Sequence, residues 1–230
     1  MAGKEKRIRY NFYARMAGLL YLVIIITGLF SELFVRSKIV LKDDPAATTK
    51  NVELFQSLYR AGFVSDTVMV TADIIIAILF YILFRKVSKY LSLSAAVFRL
   101  AQAFLISASL LFYFAPLILL DNINPETGET ITPLLFIELH AYGYDFGLIF
   151  FGVSNLILGY LIVKSKIIPQ IFGYGLSAAA AVYIFGSFIR FLLPDLFSHI
   201  QPLYLIPLIA ELSVGIWLLL KGVDLNKLFS

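Results

Sequence analysis

Six runs of apolar residues, each long enough to cross a bilayer as a helix, account for most of this chain. About 20 residues rising about 1.5 Å each cover the roughly 30 Å of membrane hydrocarbon. The runs extend from Ala14 to Val35, Ala61 to Phe84, Leu91 to Leu120, Leu134 to Val163, Pro169 to Leu193 and Leu203 to Leu220. They are continuous rather than alternating ten-residue segments, so helices are expected and a β-barrel is not. Hydrophobic residues make up 60% of the 230 and charged residues 15%, where a soluble domain has about 45–50% and about 25%. A water-soluble fold of this size could not bury so much apolar surface. An ordinary cytosolic enzyme, a nucleic-acid module and a disordered chain are thereby excluded. There is no cysteine, hence no disulfide, iron–sulfur cluster or thiolate zinc site. The expected fold is an all-α integral membrane protein, a six-transmembrane-helix bundle forming one membrane domain over residues 1–230.

Basic residues orient the bundle. Lys4, Lys6, Arg7, Arg9, Arg15, Arg85, Lys86, Lys89, Lys164, Lys166, Lys221 and Lys227 all fall on one side, twelve of the 19 Lys and Arg. The positive-inside rule makes that side, and both termini, cytoplasmic. The net charge of +4 is then membrane anchoring, and no nucleic-acid partner is expected. The first apolar run is too long for a signal peptide and no small-residue cleavage site follows it, so an uncleaved first helix is expected. In the first outer loop, Asp44-Pro45 reads as an N-cap and first helical position. Val52, Leu54, Phe55, Leu58 and Tyr59 follow as an apolar stripe, which predicts a short interfacial helix on the outer surface. The second outer loop, Asp121 to Gly128, is turn chemistry.

Ionisable groups inside a membrane helix are costly, so each marks a candidate site. Counting back from the basic anchors places Asp73 about 18 Å, Arg99 about 15 Å, Gln102 about 20 Å, Asn155 about 14 Å and Glu211 about 15 Å above the inner boundary. These five form one layer near the midplane. One reading is a structural ion pair of Asp73 with Arg99, helped by Gln102, joining the second and third helices. The sharper reading notes two acids facing one arginine. A carboxyl without a cation at mid-depth is the proton site of a proton-coupled transporter.

A second polar layer lies at the outer edge: Arg60, Asp66, Glu138, His140, Asp145 and Arg190. Glu138 and Asp145 are seven apart and share a helix face. His140 with Glu138 and Asp145 would make an oxygen-rich metal site, as in intramembrane hydrolases that activate water near the headgroups. There is no His-Glu-x-x-His run to support it. The plainer reading is interfacial hydrogen bonding with ion pairs to Arg60 and Arg190. Nucleophile-elbow and phosphate-loop motifs are absent. Gly143, Gly147, Gly152 and Gly159, then Gly173, Gly175 and Ala178 to Ala181, read as close helix packing. Asp66, Tyr81 and Arg85 also align without a gap on Asp145, Tyr160 and Lys164, which suggests that the second and third helices repeat the fourth and fifth in parallel.

Several short segments, taken together, carry a resemblance: Ala14-Arg15-Met16-Ala17-Gly18-Leu19-Leu20-Tyr21-Leu22, Asp44-Pro45-Ala46-Ala47-Thr48, Tyr59-Arg60-Ala61-Gly62, Phe98-Arg99-Leu100, His140-Ala141-Tyr142-Gly143-Tyr144, Phe150-Phe151-Gly152 and Gly159-Tyr160-Leu161. The chain resembles, over roughly Ala14 to Pro194, a prokaryotic integral membrane family known only as a domain of unknown function, DUF4386. The resemblance implies a multi-pass protein of the cytoplasmic membrane and supplies no reaction, substrate or cofactor. It directs attention to Arg15, Asp44, Arg60, Arg99, His140 and Gly152. The leading expectation is a carrier or receptor for a small polar or lipid-like ligand, built on the midplane layer. The alternatives are a membrane-embedded enzyme near the outer interface and a structural or partner-binding subunit. An enzyme is the less favoured reading, no cofactor is expected, the lipid bilayer is the expected partner, and the oligomeric state is open.

Overall fold

The structure, a computed structural model, describes residues 2–122, 132–224 and 226–227. The acidic turn that includes Glu126 and Glu129 lies outside them. Every element found among the described residues is helical. Helix α1 (Ala2–Phe30) runs into a π-helical turn (Ser31–Arg36) and a last short turn, α2 (Ser37–Ile39). Next come α3 (Pro45–Leu54), α4 (Gln56–Phe84), α5 (Lys89–Asn122), α6 (Pro133–Ser165) and α7 (Gln170–Leu192). The chain closes with α8 (Pro194–Ile200), a 3-10 turn (Gln201–Tyr204) and α9 (Leu205–Lys221). Among the described residues, six helical stretches are long and apolar enough to cross a bilayer, and the last joins α8 to α9.

Proline and positive-φ residues punctuate the chain where expected. Pro45, Pro133 and Pro194 begin helices, where a missing N–H removes nothing. The Asp44 side chain accepts from Ala47 N at 2.9 Å, capping α3 as its sequence predicts. Lys166 ends α6 at φ 56°, and Gly222 ends α9 at φ 69°. The apolar stripe expected on α3 is divided, however. Phe55 breaks the helix, Leu58 and Tyr59 belong to α4, and Leu54 is exposed. Val52 and Thr48 point inward instead, and the Thr48 hydroxyl both accepts from Leu41 N and donates to Leu41 O.

The long helices close into a ring. Each packs on its chain neighbour, α1 on α4, α4 on α5, α5 on α6, α6 on α7 and α7 on α9, and α9 returns to α1. Small residues set these seams, because helices in lipid associate by close packing rather than by leaving water. At Gly18 of α1 an added Cβ would collide with the backbone of Leu219 and Gly215 on α9. Gly143 and Gly147 of α6 lie against Ser109 and Ile106 of α5, and Gly152 and Gly159 lie against Ile184 and Gly173 of α7. The glycines of α6 thus serve two faces. The ends of the chain meet as well: Arg7 Nη1 donates to Asn226 Oδ1 at 3.0 Å, and Val223 N to Asn11 Oδ1 at 3.4 Å.

Candidate functional site

Side chains from all six spanning helices converge at the centre of the ring. Asp73 on α4 accepts from Arg99 on α5 through Nε at 2.9 Å and Nη2 at 2.5 Å, both on Oδ1. Gln102, one turn along α5, donates through Nε2 to the other oxygen, Oδ2, at 3.1 Å. The guanidinium of Arg99 is enclosed by rings, its Cζ lying 5.2 Å from Tyr21, 4.7 Å from Phe151 and 5.9 Å from Phe80. Arg99 Nη1 also reaches the Tyr21 hydroxyl of α1 at 3.4 Å. Arg99 is 1% exposed and Asp73 2%, so the pair is shielded from solvent and supported by cation–π contacts.

Glu211 of α9 completes the centre from the opposite side. Asn155 Nδ2 of α6 donates to its Oε1 at 2.9 Å, and Tyr183 of α7 is an electrostatic neighbour of the carboxyl. Glu211 is 5% exposed, and among the described residues no Lys, Arg or His nitrogen lies within 4.0 Å of it. Arg99 remains an electrostatic neighbour beyond that distance. Two acceptors in this layer, Gln102 Oε1 and Asn155 Oδ1, are buried and have no hydrogen-bond partner among the described residues. Asp73, Arg99, Gln102, Asn155 and Glu211 therefore gather in one layer, as depth counting expects. Tyr21 and Tyr183 join them unannounced, since a tyrosine inside an apolar run leaves no pattern in the sequence.

The outer layer departs from expectation. Asp66 pairs with Arg36, whose Nη1 lies 2.8 Å from Oδ2, and not with Arg60. Arg36 also holds Glu32 at 2.7 Å. It stands in the π-helical turn, a feature that often re-aims side chains at functional sites. Arg60 is exposed and sits over the Phe114 ring at 5.7 Å. Asp145 pairs with Arg190 at 2.5 Å, as expected. The placement lends the metal reading no support: Glu138 is exposed, Asp145 is engaged by Arg190, and His140 is buried with Nδ1 at 3.1 Å from both Oγ and O of Ser109. No three His, Asp or Glu side chains gather as ligands among the described residues. His140 instead packs edge-on between Tyr113 and Tyr144.

The family described as Domain of unknown function (DUF4386) matches residues 16–222. The chain belongs to that family. The DUF4386 match takes in every midplane residue, from Tyr21 to Glu211, and the ring seam at Gly18 and Gly215. An uncharacterised protein of Archaeoglobus fulgidus is 25% identical over 162 residues, which is 70% of this chain and 84% of that one. No solved structure gives a significant match. Within DUF4386, this chain is a multi-pass membrane protein, with six helices among the described residues long and apolar enough to span.

Proposed function

We propose that this protein is a carrier or receptor for a small polar ligand, with Glu211 as a proton-exchanging group at its centre. Glu211 carries the reading. It is a buried carboxyl at mid-depth, held by the neutral donor of Asn155, and among the described residues no cation lies within ion-pair distance of it. A proton is the smallest ligand that neutralises such a group, and carboxyls of this kind mark proton relays in membrane transporters. Gln102 Oε1 and Asn155 Oδ1, buried acceptors in the same layer, offer anchoring points to a ligand with N–H or O–H donors. The pair Asp73–Arg99 fits the structural role, holding α4 to α5, and leaves Glu211 free to exchange its proton. The one-sided excess of basic residues supports an orientation with both termini in the cytoplasm, and the family supports a location in the cytoplasmic membrane.

Proteoliposomes with an internal pH dye test this. A panel of small amines, amino acids and organic acids is supplied outside. The unsubstituted protein should move protons with one class of solute, and Glu211→Gln, which keeps shape and hydrogen bonding, should return the flux to the protein-free background. Equal flux in Glu211→Gln would remove the proposal.

A further inference from the structure

At the basic end of the ring a cavity of about 440 Å³ opens between the α6–α7 turn and the end of α9. Its floor is Ile167 and Ile168, both buried, and it is closed by Asp224 N donating to Ile167 O at 2.8 Å. Lys166, Lys221 and Lys227 stand around it with Gln170 and Trp217. Among the described residues Asp224 is the one acid in the lining, 3.6 Å from Lys227 Nζ. Lys166 and Lys221 have no counter-charge among those described lining residues. The 23-residue helix α7 begins at this rim with no side-chain cap, and an uncapped helix start favours an anion.

A second groove of about 380 Å³ shares Trp217 and Lys221 with the cavity and continues along α7 and α9 between Phe172, Ser213, Ile216 and Leu220. Ile216 and Leu220 are exposed, four residues apart on one face. A cationic mouth leading into an apolar groove on the outside of the bundle matches one molecule of the bilayer. We propose that this is a binding site for an anionic phospholipid, its phosphate at Lys166 and Lys221 and one acyl chain in the α7–α9 groove. Inorganic phosphate would satisfy the lysines but leave the groove without an occupant. The inference needs only that the chain lies in a bilayer, so it stands or falls apart from the carrier reading.

Trp217 is the single tryptophan and touches both compartments, so its fluorescence reports occupancy directly. The full chain is reconstituted in phosphatidylcholine vesicles doped with phosphatidylglycerol brominated on its acyl chains, or with brominated phosphatidylcholine at the same mole fraction. Brominated phosphatidylglycerol should quench Trp217 at the lower mole fraction, with about fivefold selectivity for each contributing lysine. Lys166→Gln with Lys221→Gln should abolish that selectivity while quenching by brominated phosphatidylcholine stays unchanged, which also reports an intact fold. Equal quenching by the two lipids in the unsubstituted protein, or selectivity that survives both substitutions, would overturn the site. In lipid-free micelles, inorganic phosphate should leave the Trp217 emission unchanged. A saturable change there would assign the site to a free anion and overturn the lipid.

Discussion

Asp73 and Arg99 are each other's condition for being buried. Arg99 places three donors toward Asp73 and Tyr21 while three aromatic rings surround it. Removing one partner leaves a bare charge in the bundle, which costs about 3–5 kcal/mol where such pairs are broken. Asp73→Leu or Arg99→Met alone should therefore lower the thermal midpoint in micelles sharply, and the two together should recover much of the loss. Additive losses in the double variant would show that the pair is not one unit. Glu211→Gln should behave differently, with little change in midpoint, because a neutral amide oxygen still accepts from Asn155. The five midplane residues were legible in sequence because polar groups stand out against apolar runs and helical rise gives their depth. Arg36 was not. The apolar run stops at Val35, so Arg36 reads as a loop anchor, and only the π-helical turn keeps it helical and in reach of Asp66. Glu138 misled for the opposite reason: seven-residue spacing puts it on the face of Asp145, but sharing a face does not bring burial two turns away.

Helices in this bundle are held at distances that small residues permit. An alanine at Gly159 would bring its Cβ to 2.6 Å from Gly173 O and Ser177 Oγ, so α6 and α7 would have to part. At Gly175 the nearest atom would be Ala210 Cβ at 3.4 Å. Gly159→Ala should thus destabilise by about 1–3 kcal/mol as overpacked sites do, and Gly175→Ala should be close to neutral. Equal effects on the thermal midpoint would contradict the seam geometry. The glycine spacing announced close packing in advance. It did not announce that Gly143 and Gly147 serve α5 while Gly152 and Gly159 serve α7, since one helix face cannot be told from the next until its neighbours are placed. The short helix α3 was likewise visible from Asp44-Pro45, whereas its inward-turned Thr48 and Val52 depend on a tertiary surface that the loop sequence does not encode.

For the whole molecule, the apolar runs settle the class, and the basic residues are the ground for the proposed orientation. Absence of cysteine makes that orientation directly testable. Arg9→Cys on α1 and Glu53→Cys on α3 are exposed positions on opposite ends of the bundle. In intact cells an impermeant thiol reagent should label Glu53→Cys alone, and Arg9→Cys should react only after permeabilisation. The reverse pattern would invert the protein in its membrane. Closure of the ring also bears on biosynthesis. Helix α9 leaves the ribosome after the other five spanning segments, yet it supplies Glu211 and the seam with α1 across Gly18 and Gly215. Until it inserts, Asn155 Nδ2 lacks the carboxyl that accepts from it, and lipid tails offer no substitute. Helix α9 thus both shuts the ring and delivers its central acid, which ties formation of the centre to completion of the wall around it.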